Sequence, residues 1–338
     1  MNKIYVVIFM ILMVVSATAQ DARSLIEEGN QLNSSKDYAG AIVKYKLALN
    51  VDPGNTSAKY QMAFVLNTLG KKLEAVPYLQ DVLKSSPSPT VAVSAYALLA
   101  SIFDSTGSPL KAIESYKEAI KIDSAYYALQ YGLGLAYFRA NKYANAEITA
   151  IEAYLLDTSK AEAMRLYGLV TFHQDKRAPA LLALCTFLYM DPQGNRSNEA
   201  NENIDHILQG GTLKVPLGTT VSKVNSIDKL LNQALNKAAN SSAQKGHSSQ
   251  QLLFNEQLKS VFLALAAVPQ EKSHPFNFQT QLIRLFQELG SSVHMTTFAY
   301  YIRQQSNKGA SAWLAKHPPE VNAMKNWMNT TKYRLSRR

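Results

Sequence analysis

Residues 127–160 read YALQYGLGLAYFRANKYANAEITAIEAYLLDTSK. Gly134 lies near the middle of the first half and Tyr137 follows three residues on. Asn141–Lys142 then interrupts the apolar pattern, which restarts at Tyr143 and carries Ala146 and Ala153. On both sides of the interruption the apolar residues fit the three-and-four spacing of a helix face better than the alternation of a strand. The stretch predicts two amphipathic helices joined by a short polar turn.

The unit recurs along the chain. Ala41, Ala75, Ala112, Ala146 and Ala180 are spaced 34, 37, 34 and 34 apart. Twelve residues before each stand Gly29, Ala63, Ala100, Gly134 and Gly168, and seven after stand Ala48, Val82, Ala119, Ala153 and Phe187. Twelve residues after each stand Pro53, Pro87, Ser124, Thr158 and Pro192. Two helices approach closely only where side chains are small at their crossing, so Gly or Ala on the first meets Ala on the second. Leu32, Leu66, Phe103, Tyr137 and Thr171 stand three residues after the small position; the first four are large and suit the grooves, and Thr171 departs from them. Proline ends the second helix of three units, and Asp52, Asp123, Asp157 and Asp191 precede the turn positions and suit turns or caps. The three extra residues before the third unit are placed in the link Ser85–Thr90, where insertion costs little.

Small, small, mostly small and turn positions at a period of 34 resemble the tetratricopeptide repeat, five times in tandem over residues 22–194. The resemblance implies an all-α fold, a tetratricopeptide-type right-handed helical solenoid followed by a further helical C-terminal region. In the family, the second, fifth, ninth, twelfth and thirteenth positions of each repeat line a concave groove that holds a peptide. Carried over, these are Asn30 and Asn33 in repeat one, Tyr60, Phe64 and Asn67 in repeat two, and Ser101 and Asp104 in repeat three. Repeat four gives Tyr131, Leu135, Phe138 and Arg139; repeat five gives Arg165, Leu169, Phe172 and His173. The surface so implied is aromatic and polar, with basic groups at one end. The carboxylate clamp of the chaperone-binding members is not matched: Ile26 stands where that clamp has Lys, although Asn30 fills its Asn position.

A stack of helix pairs needs a terminal helix with one polar face. Ser197–Leu208 (SNEANENIDHIL) fits, with Ile204, Ile207 and Leu208 facing inward and Asn201, Glu202 and Asp205 facing water. Beyond Gly210–Gly211 the repeat signature is lost. Thr212–Thr220 reads as a connector. Val221, Val224, Ile227, Leu230, Leu231, Ala234 and Leu235 then share one helix face, Asn240–Ser249 is a link, and Leu252–Val268 is a more apolar helix. Phe276–Leu289 and Ser291–Gln305 form a pair split at Gly290, a C′ glycine followed by a capping Ser, and Pro318–Pro319 opens the last helix. Trp313 and Trp327 are expected in the core of this region. It belongs either to degenerate repeats continuing the stack or to a small helical domain on its end.

The first residues read as a secretory signal over 1–19. Lys3 precedes twelve apolar residues, Ile4–Val15, and Ser16–Ala17–Thr18–Ala19 ends in the small-x-small pattern of signal cleavage. Twelve residues are too few to span a bilayer, so no stable membrane span is expected after cleavage. The protein is expected to be exported, to a periplasm, a cell envelope or the exterior. Cys185 is the sole cysteine, which leaves an internal disulfide impossible and suits a packing role between Leu184 and Phe187. The net charge of +10 divides as +1 over residues 1–194 and +9 over 195–338, and the tail 331–338 reads as a basic, solvated terminus.

The six histidines include no pair at i, i+3 or i+4, and no Walker loop, Rossmann fingerprint or G-x-S-x-G is present. No catalytic residue, cofactor, metal or nucleic-acid site is expected. The chain reads as a non-enzymatic adaptor for another protein or a peptide segment. The alternative reading makes the repeats a carrier for a C-terminal module, over 221–330, with enzymatic or polyanion- or lipid-binding activity.

Overall fold

The structure, a computed structural model, describes residues 21–213, 225–269 and 278–336, with side chains to Thr331. The expected signal at 1–19, most of the connector Thr212–Thr220, Val221, Val224 and Phe276 lie outside the described residues, as do the side chains of the tail. The described residues form helices and no strand. Five helix pairs come first: α1 (21–34) with α2 (Tyr38–Val51), α3 (Thr56–Thr68) with α4 (Lys72–Lys84), α5 (Pro89–Ser105) with α6 (Pro109–Ile122), α7 (Tyr127–Arg139) with α8 (Tyr143–Leu156), and α9 (Ala161–His173) with α10 (Arg177–Met190). Then follow α11 (Ser197–Leu208), α12 (Ser226–Ala243), α13 (Gln250–Ala266), α14 (Phe278–Gly290), α15 (Met295–Ile302), α16 (Lys308–Lys316) and α17 (Pro318–Ser336).

The sequence period is present in both packing and backbone. Ala41, Ala75, Ala112, Ala146 and Ala180 are all fully buried. A Cβ added at Gly29 would lie 2.5 Å from the Tyr45 ring of α2, which shows how closely the first pair is crossed. Each pair turns on one residue in the left-handed region: Lys36 (φ 66°), Gly70 (77°), Gly107 (77°), Asn141 (56°) and Asp175 (56°). The next residue donates its N–H back to the carbonyl of Leu32, Leu66, Phe103, Tyr137 or Thr171, at 2.8–2.9 Å in all five units. This is the Schellman closure of a helix C-terminus, and it fixes where every second helix begins. At the far end, Asp52, Asp123, Asp157 and Asp191 each donate a backbone N–H to the last turn of the second helix. The carboxylates of Asp52, Asp123 and Asp157 also accept a backbone N–H two residues on, at 3.0–3.1 Å.

The extra residues of the third unit are placed differently from the expectation. The link before α5 is residues 85–88, no longer than the link 52–55 before α3, and α5 has 17 residues where α3 has 13. The insertion lengthens the helix, because Pro89 is preorganised for a first helical position and can begin it early. Thr171 is fully buried, and its hydroxyl donates to the Tyr167 carbonyl at 2.7 Å. The departure from a large residue is thereby satisfied inside its own helix.

The chain divides into two compact units, Met1–Ala136 and Tyr137–Arg338. The first holds the α1–α6 pairs and most of α7. Its core runs through Tyr45, Met62, Leu79, Val82 and Ile102, all essentially buried.

The second unit is built around α10, which packs against α9, α11, α12, α14 and α15. Every residue of α10 from Arg177 to Leu188 is buried. The C-terminal helices are therefore part of the same packed body as repeat five. This changes the reading of α11. Ile204, Ile207 and Leu208 are buried and Glu202 is exposed, as expected. Asn201, expected in water, is 1% exposed, and its amide donates to the Ser197 and Ile302 carbonyls at 2.9 and 3.1 Å. Asp205 receives both terminal nitrogens of Arg303, at 2.9 and 2.6 Å, and that guanidinium lies 3.9 Å from the centre of the Phe254 ring. The polar face of this helix is thus covered at Asn201 and paired at Asp205, and open to water at Glu202.

The buried side of α12 is also more polar than its apolar pattern suggests. Leu230 is 47% exposed, while Asp228 and Asn232 are buried. Asn232 explains the rotation. Its amide donates to the Asp175 carbonyl at 2.6 Å and its oxygen accepts the Arg177 N–H at 3.0 Å, so it closes the backbone of the repeat-five turn. Arg177 adds bonds to Asn236 and to the Gly210 carbonyl. The helix α12 continues to Ala243, into the expected link. Gly290 is the last residue of α14, with no left-handed turn, and an added Cβ there would stand 3.3 Å from Phe262 of α13. The expected helix Ser291–Gln305 is only Met295–Ile302, and its N-cap His294 makes no side-chain cap bond. The two tryptophans are half-buried: Trp313 stacks on Tyr300 and His317, and Trp327 lies against His294. Phe262, Phe286 and Phe298 form the core in their place. The tail expected to fray is helical to Ser336.

Candidate functional site

In the first unit, Tyr60, Phe64 and Asn67 stand at i, i+4 and i+7 of α3 and so share one face. Phe64 is 40% exposed. Tyr60 and Asn67 are half-buried on either side of it. Burial raises the Tyr60 hydroxyl above its ordinary value, opposed by a hydrogen bond with Ser94 of α5. That bond joins α3 to α5, which pack together directly. On α5 the same position class gives Ser101, exposed, and Asp104, half-buried. On α7 it gives Tyr131 and Leu135, both half-buried, and Tyr131 stacks on Tyr127 with ring centres 5.7 Å apart. On α1, Asn30 accepts the Tyr45 hydroxyl at 2.8 Å, and Asn33 is half-buried nearby in sequence. The first helices of this unit thus offer aromatic faces beside amide and hydroxyl groups. That combination suits an extended chain, whose backbone needs donors and acceptors and whose side chains need apolar contacts.

The second-unit candidates fare differently. Phe172 is 1% exposed and lies edge-on to His206 of α11, so it is core and no groove residue. Two contacts join α9 to α11 here, Phe172 with His206 and Arg165 with Glu199. The Arg165 side chain is 15% exposed and faces Glu199 at 4.0 Å. His173 packs edge-on against Phe138 and stacks on Tyr143, with ring centres 5.2 and 5.0 Å apart. Burial lowers its pKa, and among the described residues its Nδ1 has no hydrogen-bond partner. The expected basic end is therefore reduced: Arg139 is exposed, Arg165 is engaged, and His173 is held toward its neutral form. Leu169 is half-buried.

Sequence reasoning did not find Tyr127 or Ser94, which support the first-unit face from neighbouring positions. Only the repeat spacing was available as a guide, and both residues fall off it. Among the described residues, no cluster of three or more His, Cys, Asp or Glu side chains could hold a metal ion, and no helix is long and apolar enough to cross a membrane.

A family model described as TPR repeat matches residues 107–141. The chain is 28% identical over 112 residues to the small glutamine-rich tetratricopeptide repeat-containing protein 2 of Mycosarcoma maydis, covering 33% of this chain and 31% of that one. It is 26% identical over 150 residues to a TPR repeat-containing protein of Methanocaldococcus jannaschii, covering 43% of this chain and 26% of the other. The matches thus span less than a third of each relative's own length. Among solved structures, YrrB, described as a TPR protein with an unusual peptide-binding site, superposes with a TM-score of 0.50 at 18% identity, over 56% of this chain and 97% of YrrB. That likeness concerns the fold alone. With five buried alanines and five left-handed turns on one repeat, the chain shares the repeat and the all-helical fold of the tetratricopeptide repeat proteins.

Proposed function

We propose that this protein is an exported, non-catalytic scaffold that holds a peptide segment of another protein against the first helices of its N-terminal unit. The repeat fold is that of a protein–protein interaction scaffold. The single observation that carries the finer reading is Phe64. It is a large aromatic ring left 40% exposed on a first helix, beside Tyr60 and Asn67 on the same face. Aromatic residues of this kind dominate the binding energy of protein interfaces. The description of YrrB as peptide-binding is in keeping with this use of the fold. Export rests on Lys3, the apolar run Ile4–Val15 and the Ala17–Thr18–Ala19 ending.

A photoreactive phenylalanine analogue in place of Phe64, activated in cells of the native host, should cross-link a discrete partner peptide. The double variant Phe64→Ala/Leu135→Ala should recover much less of that partner than the wild type. Equal recovery would sink the assignment of this face. Export is checked separately, by fractionation and by N-terminal sequencing of the mature protein, which should begin near Gln20 or Asp21. An unprocessed protein found in the cytosol would overturn it.

A further inference from the structure

A cavity of about 440 Å³ lies within the second unit. Its walls come from the second helices α8 and α10 together with α14, α15 and α17. Leu155, Met190, Phe278, Leu282, Leu285 and Met328 make most of it apolar. The volume falls in the range of small-molecule sites.

Hydroxyl and amide groups of Thr158, Thr186, Tyr189, Gln281 and Asn329 interrupt the apolar wall. Among the described residues Lys325 is the only charged one in the wall, and neither Asp nor Glu lines it. Its ammonium lies 5.0 Å from the centre of the Tyr301 ring, and among the described residues it forms no ion pair. Tyr189 donates its hydroxyl toward Asn329 Oδ1 at 3.2 Å, or toward the Lys325 carbonyl at 3.4 Å, and so fixes α17 against α10. Burial, helped by Tyr301, pushes that hydroxyl up to about 12, so the wall gains no anion at neutral pH. A second recess, of about 340 Å³, shares Tyr301 and Lys325 with the first. Gln193, Gln304, Ser311 and Asn322 line it, again without an acid.

An apolar chamber and a polar one therefore meet at a single lysine with no acidic partner among the described residues. We infer that this pair of chambers binds a single-chain anionic amphiphile, its alkyl chain in the apolar cavity and its head on Lys325. Apolar burial supplies the affinity, and the ammonium selects the charge of the head. A membrane-derived or a free carboxylate shares this chemistry. The C-terminal helices acquire a role by this assignment, since α14, α15 and α17 supply three of the five walls.

Isothermal titration of the full chain with dodecanoate below its micelle concentration should give saturable binding of one molecule per chain. Undecyltrimethylammonium has the same alkyl tail and the opposite charge, and should bind at least about tenfold more weakly. Lys325→Gln should weaken dodecanoate by about tenfold. Gln281→Trp or, at the half-exposed rim, Leu155→Trp should fill the space and abolish binding with the melting curve unchanged. Two chamber-filling variants are used so that a folding defect in one does not decide the matter. Absent saturable binding, equal binding of the two surfactants, or full affinity in a variant that still melts as the wild type would each overturn the inference. Displacement of dodecanoate by a capped Leu-Phe-Leu tripeptide at equal or lower concentration would assign the cavity to protein side chains instead.

Discussion

The Asn201 amide on α11 donates to the carbonyl of Ile302, the last residue of α15, across 101 positions of sequence. This one bond shows that the helix after repeat five is not an end. A carbonyl at a helix C-terminus has no partner within its own helix, and a buried asparagine supplies one. Asn201→Leu removes that donor in a site 1% exposed to water. It should lower stability by about 1–3 kcal/mol, read from urea unfolding monitored by circular dichroism. A loss below a few tenths of a kcal/mol would mean that water replaces the amide.

Lys36 holds the first repeat turn at φ 66°, where the equivalent residues are Gly70, Gly107, Asn141 and Asp175. Glycine adopts this conformation without strain, asparagine and aspartate tolerate it, and a long side chain does not favour it. Lys36 is exposed, so its side chain gives little in return. Lys36→Gly should raise stability by about 1 kcal/mol, the strain relieved being partly offset by the greater freedom of glycine in the unfolded chain. Thermal unfolding of the two proteins side by side measures it; an unchanged or lower midpoint contradicts the strain argument.

These two sites mark what the sequence discloses and what it withholds. The polar turn read at Asn141–Lys142 is legible because repeat geometry is local, and Lys36 holds the equivalent place in the first unit. Each small residue, each left-handed turn and each closing hydrogen bond recurs at a fixed offset, so five copies reinforce one reading. The role of Asn201 is not legible. Its position on α11 looks solvent-facing by periodicity, and its partner has no sequence relation to it. Asn232 is missed for the same reason, a polar residue at a position that the apolar pattern gives to solvent. Phe172 shows the converse error: the family pattern places it in a groove, and the particular helices that follow repeat five bury it. The Tyr189–Lys325 bond, 136 residues apart, lies beyond any periodic argument.

Cys185 lies at 0% exposure in α10, and burial pushes its thiol far above the ordinary value, against a smaller opposing pull from Arg303. The thiolate is the reactive form, so the native protein should not react with a disulfide reagent such as dithionitrobenzoate over hours at pH 8. One equivalent should react in denaturant, with the reactive fraction following the unfolding curve of the second unit. Rapid labelling of the native state would require an opening of α10 that its packing does not provide.

His173 should make stability depend on pH, with a definite sign. Burial among Phe138 and Tyr143 lowers its pKa below 6.5, and a proton on Nδ1 would find no acceptor there. Between the lowered native value and the ordinary one, the unfolded chain binds a proton that the folded chain refuses. Stability is then fully present above pH 6.5 and falls as pH drops through that window, levelling once the native ring also titrates. Other groups titrate nearby, so the difference between two proteins is the useful quantity. His173→Phe keeps the ring packing and removes the proton site; its unfolding free energy should fall less steeply than the wild type's between pH 7 and pH 5. Parallel pH profiles would mean that His173 is as free to take its proton in the folded chain as in the unfolded one.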